Sequence, residues 1–128
     1  MKPSPRPRGS SSSAGPRFLD RAAAVDGFRE LARGLAARDP RVVRVVLFGS
    51  LATGRATVAS DADLLIVLRD HPLRARERIP EYLDAFVRGP LGVDVFPFTE
   101  LEVEQRRAEG DPFIRRIEAE GVDLLGTP

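Results

Sequence analysis

Three aspartates stand at positions where carboxylates can do metal chemistry. Asp61 and Asp63 flank a single alanine, and in an extended chain residues two apart point to the same side. Two carboxylates on one side repel unless a cation lies between them. Magnesium takes oxygen ligands, commonly one or two carboxylates completed by water and substrate phosphate. An Asp-x-Asp pair also occurs at ordinary turns, so alone it is weak evidence. Asp94 says more, because it interrupts the apolar run Val93-Asp94-Val95-Phe96. Aspartate is depleted in strands and seldom buried without a partner. Alternation sets Asp94 on the face opposite Val93 and Val95. If that strand lies beside the one opening at Asp63, the three carboxylates meet. They can then hold two metal ions, as in two-metal phosphoryl and nucleotidyl transfer. An exposed aspartate on an edge strand is the plainer reading.

Gly49-Ser50 is the other chemical feature. It closes a hydrophobic run, where glycine permits a sharp turn and close approach of a phosphate to the backbone. Ser50 brings a hydroxyl and an N–H, and a following helical turn adds N–H donors. Gly-Ser after a strand is also simply a turn signal. Neither a Walker A loop nor a G-x-G-x-x-G motif is present. His71, the single histidine, precedes Pro72 in a connection and reads as a surface residue. Tyr82 reads as packing. Arg69, Arg74, Arg76 and Arg78 form a basic cluster that reads first as solvated surface and second as a group reaching triphosphate or a partner.

Alternating apolar runs and helical periods supply the scaffold. Val25, Phe28, Leu31, Ala32 and Leu35 recur at helical spacing, predicting a helix over about Phe18–Arg38 that Asp39-Pro40 ends. The β-branched run Val42–Phe48 reads as a central strand covered on both faces, with a helical turn over Leu51–Thr53 after it. Asp63–Leu68 reads as a second buried strand and Val93–Phe96 as a short third one. Between them the pattern predicts a helix over Arg76–Arg88, with Ile79, Leu83, Phe86 and Val87 inward and Pro80 in its first turn. Thr99 and Glu102 have the spacing of a capping box for a helix reaching Arg107 or Ala108. Asp111-Pro112 caps a last helix that turns Phe113, Ile114 and Ile117 inward and stops at Gly121. Val122–Leu125 can add a final short strand. The alternation predicts an α/β (α+β) layer fold.

The chain has 128 residues, 42% of them hydrophobic and 30% charged, and no cysteine. That suits one domain with a modest core and excludes disulfides, thiolate metal sites and cysteine nucleophiles. The first sixteen residues, rich in Pro, Gly, Ser and Arg, read as a disordered basic leader, leaving residues 17–128 as the folded domain. Through Arg17 the chain carries four cations and no acid; the remainder has sixteen arginines against nineteen acids. A slightly acidic body disfavours a nucleic-acid partner. No apolar run has the length of a signal sequence core or a membrane helix, and the default expectation is a cytoplasmic protein.

Taken jointly, these features resemble the minimal nucleotidyltransferase (MNT) branch of the DNA polymerase beta-like superfamily. The family pattern is Gly-Ser, ten residues, Asp-x-Asp, then a third aspartate on a later strand: here Gly49-Ser50, Asp61-Ala62-Asp63 and Asp94. Ser60 before Asp61 and the ending DPFIRRIEAEG (Asp111–Gly121) are similar too, and the likeness runs over about Phe28–Leu125. One departure is Leu51, where many relatives carry arginine directly after Gly-Ser; Arg55 is the nearest replacement. The resemblance implies a polymerase beta-like fold, a small mixed sheet with helices packed mainly on one face. It implies transfer of AMP from ATP to a hydroxyl with two magnesium ions (or manganese). Asp61, Asp63 and Asp94 would be metal-binding and catalytic, Asp94 also as general base, and Gly49, Ser50 and Arg55 would bind nucleotide. MNT proteins resemble antitoxins paired with a helical HEPN-type toxin, adenylylating a tyrosine on it. This implies a protein partner for a chain with no second lobe, although a second copy of the chain would wall the site equally well. The alternatives are a non-catalytic protein that masks the toxin and a transferase for a small molecule such as an aminoglycoside.

Overall fold

A cap and an apolar stripe make the first helix. In the computed structural model, which describes residues 19–57 and 60–126, α1 spans Arg21–Arg38 and the Asp20 carboxylate accepts from the Ala23 N–H at its start. Ala24, Val25, Phe28, Ala32 and Leu35 form its buried face, at the spacing expected of an amphipathic helix. The expected leader over residues 1–16 and the expected helix start at Phe18 lie outside the described residues.

Three longer strands and one short one form the sheet. They are β1 (Val42–Phe48), β2 (Ala62–Leu68), β3 (Val93–Thr99) and β4 (Val122–Asp123). Their order is β3-β2-β1-β4. β1 runs antiparallel to both β2 and β4, whereas β2 and β3 are parallel, so the sheet is mixed as expected. Both central strands are buried on two faces. Val45, Leu47, Leu64, Ile66 and Leu68 point into one core with α1, and Val46, Phe48, Leu65 and Val67 into another. This explains why β1 and β2 read as nearly continuous apolar runs.

The remaining helices are α2 (Ser50–Thr53), α3 (Ala75–Asp84), α4 (Glu100–Ala108) and α5 (Pro112–Glu120). With α1 they divide between the two faces of the sheet, α1, α2 and α3 on one and α4 and α5 on the other. Tyr82 of α3 and Phe86 just beyond it join α1 in the first core; Val103 of α4 with Ile114 and Ile117 of α5 cover the second. Both caps read from sequence are present. Thr99 Oγ1 accepts from the Glu102 N–H at 3.2 Å while the Glu102 carboxylate accepts from the Thr99 N–H at 2.9 Å. Asp111 accepts from the Phe113 N–H at 3.0 Å.

α3 is shorter than expected and rotated. It ends at Asp84, and Ala85–Arg88 form a turn. Arg78, Tyr82 and Phe86 point inward, while Ile79, Leu83 and Val87 are exposed. The Arg78 guanidinium is buried because three acceptors surround it. It donates to the carbonyls of Leu73 (2.7 Å) and Pro97 (2.9 Å) and to both oxygens of Glu102 (2.7 and 3.1 Å). Tyr82 does pack, and its hydroxyl donates to Asp39 at 2.9 Å. His71 is not the surface residue expected: its side chain is 5% exposed. His71 Nδ1 accepts from the Leu73 N–H at 3.1 Å, and its Nε2 pairs with Glu81 at 3.3 Å.

β3 continues past Phe96 to Thr99. Proline is tolerated in an edge strand because one side of the ladder is free, and β3 is an edge. Pro97 therefore does not stop it. No helix among the described residues is long and apolar enough to cross a membrane.

Candidate active site

Strand register brings the aspartates together. Asp63 is the second residue of β2 and Asp94 the second of β3, and they are direct partners in the parallel ladder. Cross-strand partners share a face. Asp61 precedes β2 by one residue. The Ala62 N–H donates to the Gly92 carbonyl at 2.8 Å, holding the approach to β2 against the approach to β3. Asp61 and Asp94 are exposed and Asp63 is half-buried.

Two glycines give these carboxylates room. Gly49 has φ +80° and ψ −156°, a region open essentially to glycine alone. A Cβ there would stand 2.3 Å from Asp63 Oδ2, so the turn ending β1 lies directly against that carboxylate. A Cβ on Gly92 would stand 2.6 Å from Asp61 Oδ1. Gly92 escaped the sequence reading because a glycine ahead of a strand looks like any turn residue. Nothing local links it to an aspartate thirty-one positions earlier.

Beneath the carboxylates the same sheet face is aromatic. Phe48 is the β1 partner of Asp63, and Phe96 lies two residues beyond Asp94. The rings of Phe48, Phe96 and Phe113 pack in a trio with centroids 5.5, 5.4 and 5.2 Å apart. The acidic cluster therefore has one apolar, poorly hydrated side. Burial first, then the Asp94 and Asp61 carboxylates, push the Asp63 carboxyl above its ordinary range. Negative charge therefore accumulates at this end of the sheet.

That donor set suits a hard divalent cation, which demands oxygen ligands and charge. Among the described residues, no three His, Cys, Asp or Glu side chains converge into a ready cage. Magnesium does not require one, since it keeps waters and takes substrate phosphate alongside one or two carboxylates.

The Gly49-Ser50 turn leads into α2, whose Leu51 and Ala52 are buried in the first core. Gly54 closes α2 in the left-handed conformation, φ 81°. Arg55 is exposed; its backbone N–H donates to the Ser50 carbonyl at 2.9 Å, and its guanidinium has no hydrogen bond or ion pair among the described residues. Ser60 closes the loop ahead of Asp61, its hydroxyl accepting from the Thr57 N–H at 3.0 Å.

The basic cluster lies elsewhere. Arg69 follows the carboxyl end of β2, whereas Asp61 and Asp63 are at its amino end. Seven strand residues separate the two ends by about 20 Å. With Arg78 buried as well, the Arg69–Arg78 group is not in reach of a phosphate at the aspartates. A residue the sequence reading passed over does touch α2, just after the Gly-Ser turn. Arg21 of α1 donates from Nε to the Leu51 carbonyl at 2.8 Å and from a terminal nitrogen to that of Ala52 at 2.7 Å.

No curated protein sequence matches the chain. Among solved structures, a candidate nucleotidyltransferase from Sulfolobus solfataricus superposes with a TM-score of 0.57 at 22% identity, covering 80% of each chain. A toxin–antitoxin structure with AMP-PNP matches with a TM-score of 0.50 at 19% identity, over 85% of this chain and 75% of the other. At these identities the likeness is one of fold. The family model of the nucleotidyltransferase domain matches residues 28–124. Since the Gly-Ser turn, the Asp-x-Asp pair and the strand-borne Asp94 all fall inside that match, the chain belongs to the nucleotidyltransferase-domain family.

Proposed function

We propose that this protein transfers AMP from ATP to a hydroxyl on a partner protein, in the manner of an MNT-type antitoxin acting on a HEPN-type toxin. The observation that carries the reading is the register pairing of Asp63 with Asp94, with Asp61 beside them and the Gly49-Ser50 turn against Asp63. Asp61, Asp63 and Asp94 would hold magnesium, which when bound supplies the positive charge that phosphate oxygens and a developing alkoxide require. The chain's own residues do the rest. Gly49 and Ser50 receive the phosphate end of the nucleotide, and Arg55, exposed and without a side-chain partner among the described residues, would add a cation to it. Asp94 accepts the acceptor hydroxyl's proton. The hydroxyl oxygen bonds to the alpha-phosphorus as the bond to the pyrophosphate oxygen breaks, and pyrophosphate leaves. Positioning provides much of the rate in such a transfer. In this reading the acceptor's own carrier supplies that positioning. A docked protein bringing its own tyrosine meets that need. The fold likeness to a toxin–antitoxin structure with AMP-PNP supports both the adenine nucleotide and the partner. The domain boundary near residue 17 and a cytoplasmic location belong to the same proposal.

The test is transfer itself. The protein is co-expressed with the neighbouring reading frame of its native locus, and the co-purified partner is weighed intact. A mass gain of one AMP group, dependent on Asp61 and Asp63, is the expected result. Label transferred from the gamma rather than the alpha phosphate of ATP would exclude the mechanism.

A further inference from the structure

α2 is a single helical turn, too short to hold its own shape in water. Its carbonyls can be accounted for one by one. The Gly49 carbonyl accepts from the Thr53 N–H at 3.2 Å and that of Ser50 from the Arg55 N–H at 2.9 Å. The carbonyls of Leu51 and Ala52 have no partner within the turn, as is usual for the last residues of a helix. Both are taken by one guanidinium, that of Arg21, at 2.8 and 2.7 Å. Arg21 stands in the first turn of α1, next to Ala24 and Val25 of the buried face. A planar fork with two adjacent acceptors leaves little freedom of direction, unlike a lysine's single point of charge.

We infer that Arg21 is a positioning residue for the nucleotide site, clamping α2 to α1 so that the Gly49-Ser50 turn stays against the Asp63 carboxylate. It touches neither the aspartates nor the turn's own N–H groups and acts through α2. The inference rests on the reading of Gly49-Ser50 as the phosphate-binding segment. It adds a fixed cation that enters from outside the family-matched span, which begins at residue 28.

A built-in control separates positioning from stability. Arg33, also on α1, donates to the Gly126 carbonyl at 3.2 Å, a tie of the same chemistry to a segment beyond the far edge of the sheet. Wild type, Arg21→Ala, Arg21→Lys and Arg33→Ala are compared by amide hydrogen exchange and by calorimetric titration with magnesium-ATP. Exchange at Thr53, Gly54 and Arg55 should accelerate in Arg21→Ala alone. Affinity for magnesium-ATP should fall about tenfold in Arg21→Ala, the loss expected for removing a charged hydrogen-bonding pair, and recover only in part in Arg21→Lys. Arg33→Ala should change affinity less than about twofold, whatever its melting temperature. Unchanged exchange in Arg21→Ala overturns the clamp. Faster exchange with unchanged affinity overturns its role in the site. A wild type that binds no magnesium-ATP overturns the nucleotide reading, and the positioning role with it, while the exchange data still report whether Arg21 holds α2.

Discussion

Asp63 is the residue most burdened by its neighbours. Burial and two adjacent carboxylates raise its proton affinity, so its charged form is disfavoured in the folded chain. A group whose folded value is raised binds protons more tightly folded than unfolded, and keeping it ionised at neutral pH costs stability. Asp63→Asn should therefore leave the melting temperature equal or higher while reducing AMP transfer to background; a clear drop in melting temperature would show that the carboxylate has a structural partner. Gly92→Ala tests the opposite kind of dependence. The new methyl would crowd Asp61 Oδ1 at 2.6 Å, and a carboxylate at the end of a side chain can swing aside. Stability should change by less than about 1 kcal/mol. Transfer should fall by roughly a hundredfold, as expected when a reacting group is displaced by an ångström.

Between elements, the Arg78–Glu102 pair joins α3, β3 and α4. Arg78 is 3% exposed and donates to two carbonyls besides the carboxylate. Removing it leaves three acceptors short of a donor. Arg78→Met should cost about 3 kcal/mol in denaturant unfolding without altering nucleotide affinity, since the pair lies at the end of the sheet away from the aspartates. The Arg78 hydrogen bonds hold the Glu102 carboxyl below its ordinary value of 4.5, outweighing burial. A carboxylate with a depressed folded value contributes fully above its unfolded value and loses that contribution as pH falls through the folded one. Melting temperature should thus fall on acidification below the ordinary carboxylate range, and less steeply in Arg78→Met than in wild type.

For the whole molecule, charge concentrated at one end of the sheet predicts a response to cations. A ligand that binds only the folded chain stabilises it by mass action. Millimolar magnesium should raise the melting temperature of the wild type, and the Asp61→Asn/Asp63→Asn double variant should lose that rise. An equal rise in both would place the cation elsewhere. The same asymmetry has a mechanical side. Turn, carboxylates and aromatic trio all gather where β1 ends and β2 and β3 begin. The buried Arg78 network ties the opposite end, so the site rests on the amino-terminal residues of strands anchored at their far ends.

Much of this was set by local sequence. β-branched runs named β1 and β2, and their lack of alternation said that both faces are covered. The caps of α4 and α5 were legible, since Thr99, Glu102 and Asp111 act within a few residues of themselves. The Gly-Ser and Asp-x-Asp spacing marked the candidate site. Tertiary structure decided what periodicity leaves degenerate. Arg78, Tyr82 and Phe86 are spaced as regularly as Ile79, Leu83 and Val87, so helical period alone could not choose between the stripes. The carbonyls of Leu73 and Pro97 and the carboxylate of Glu102 made the arginine stripe the buried one. The edge position of β3 let Pro97 stay in a strand, and the placement of α4 and α5 gave the sheet its second covered face. Arg21 reaches α2 across thirty residues, and Gly92 makes room for Asp61 across a strand boundary. A linear pattern records which residues share a face; which partner covers that face is set only when distant segments meet.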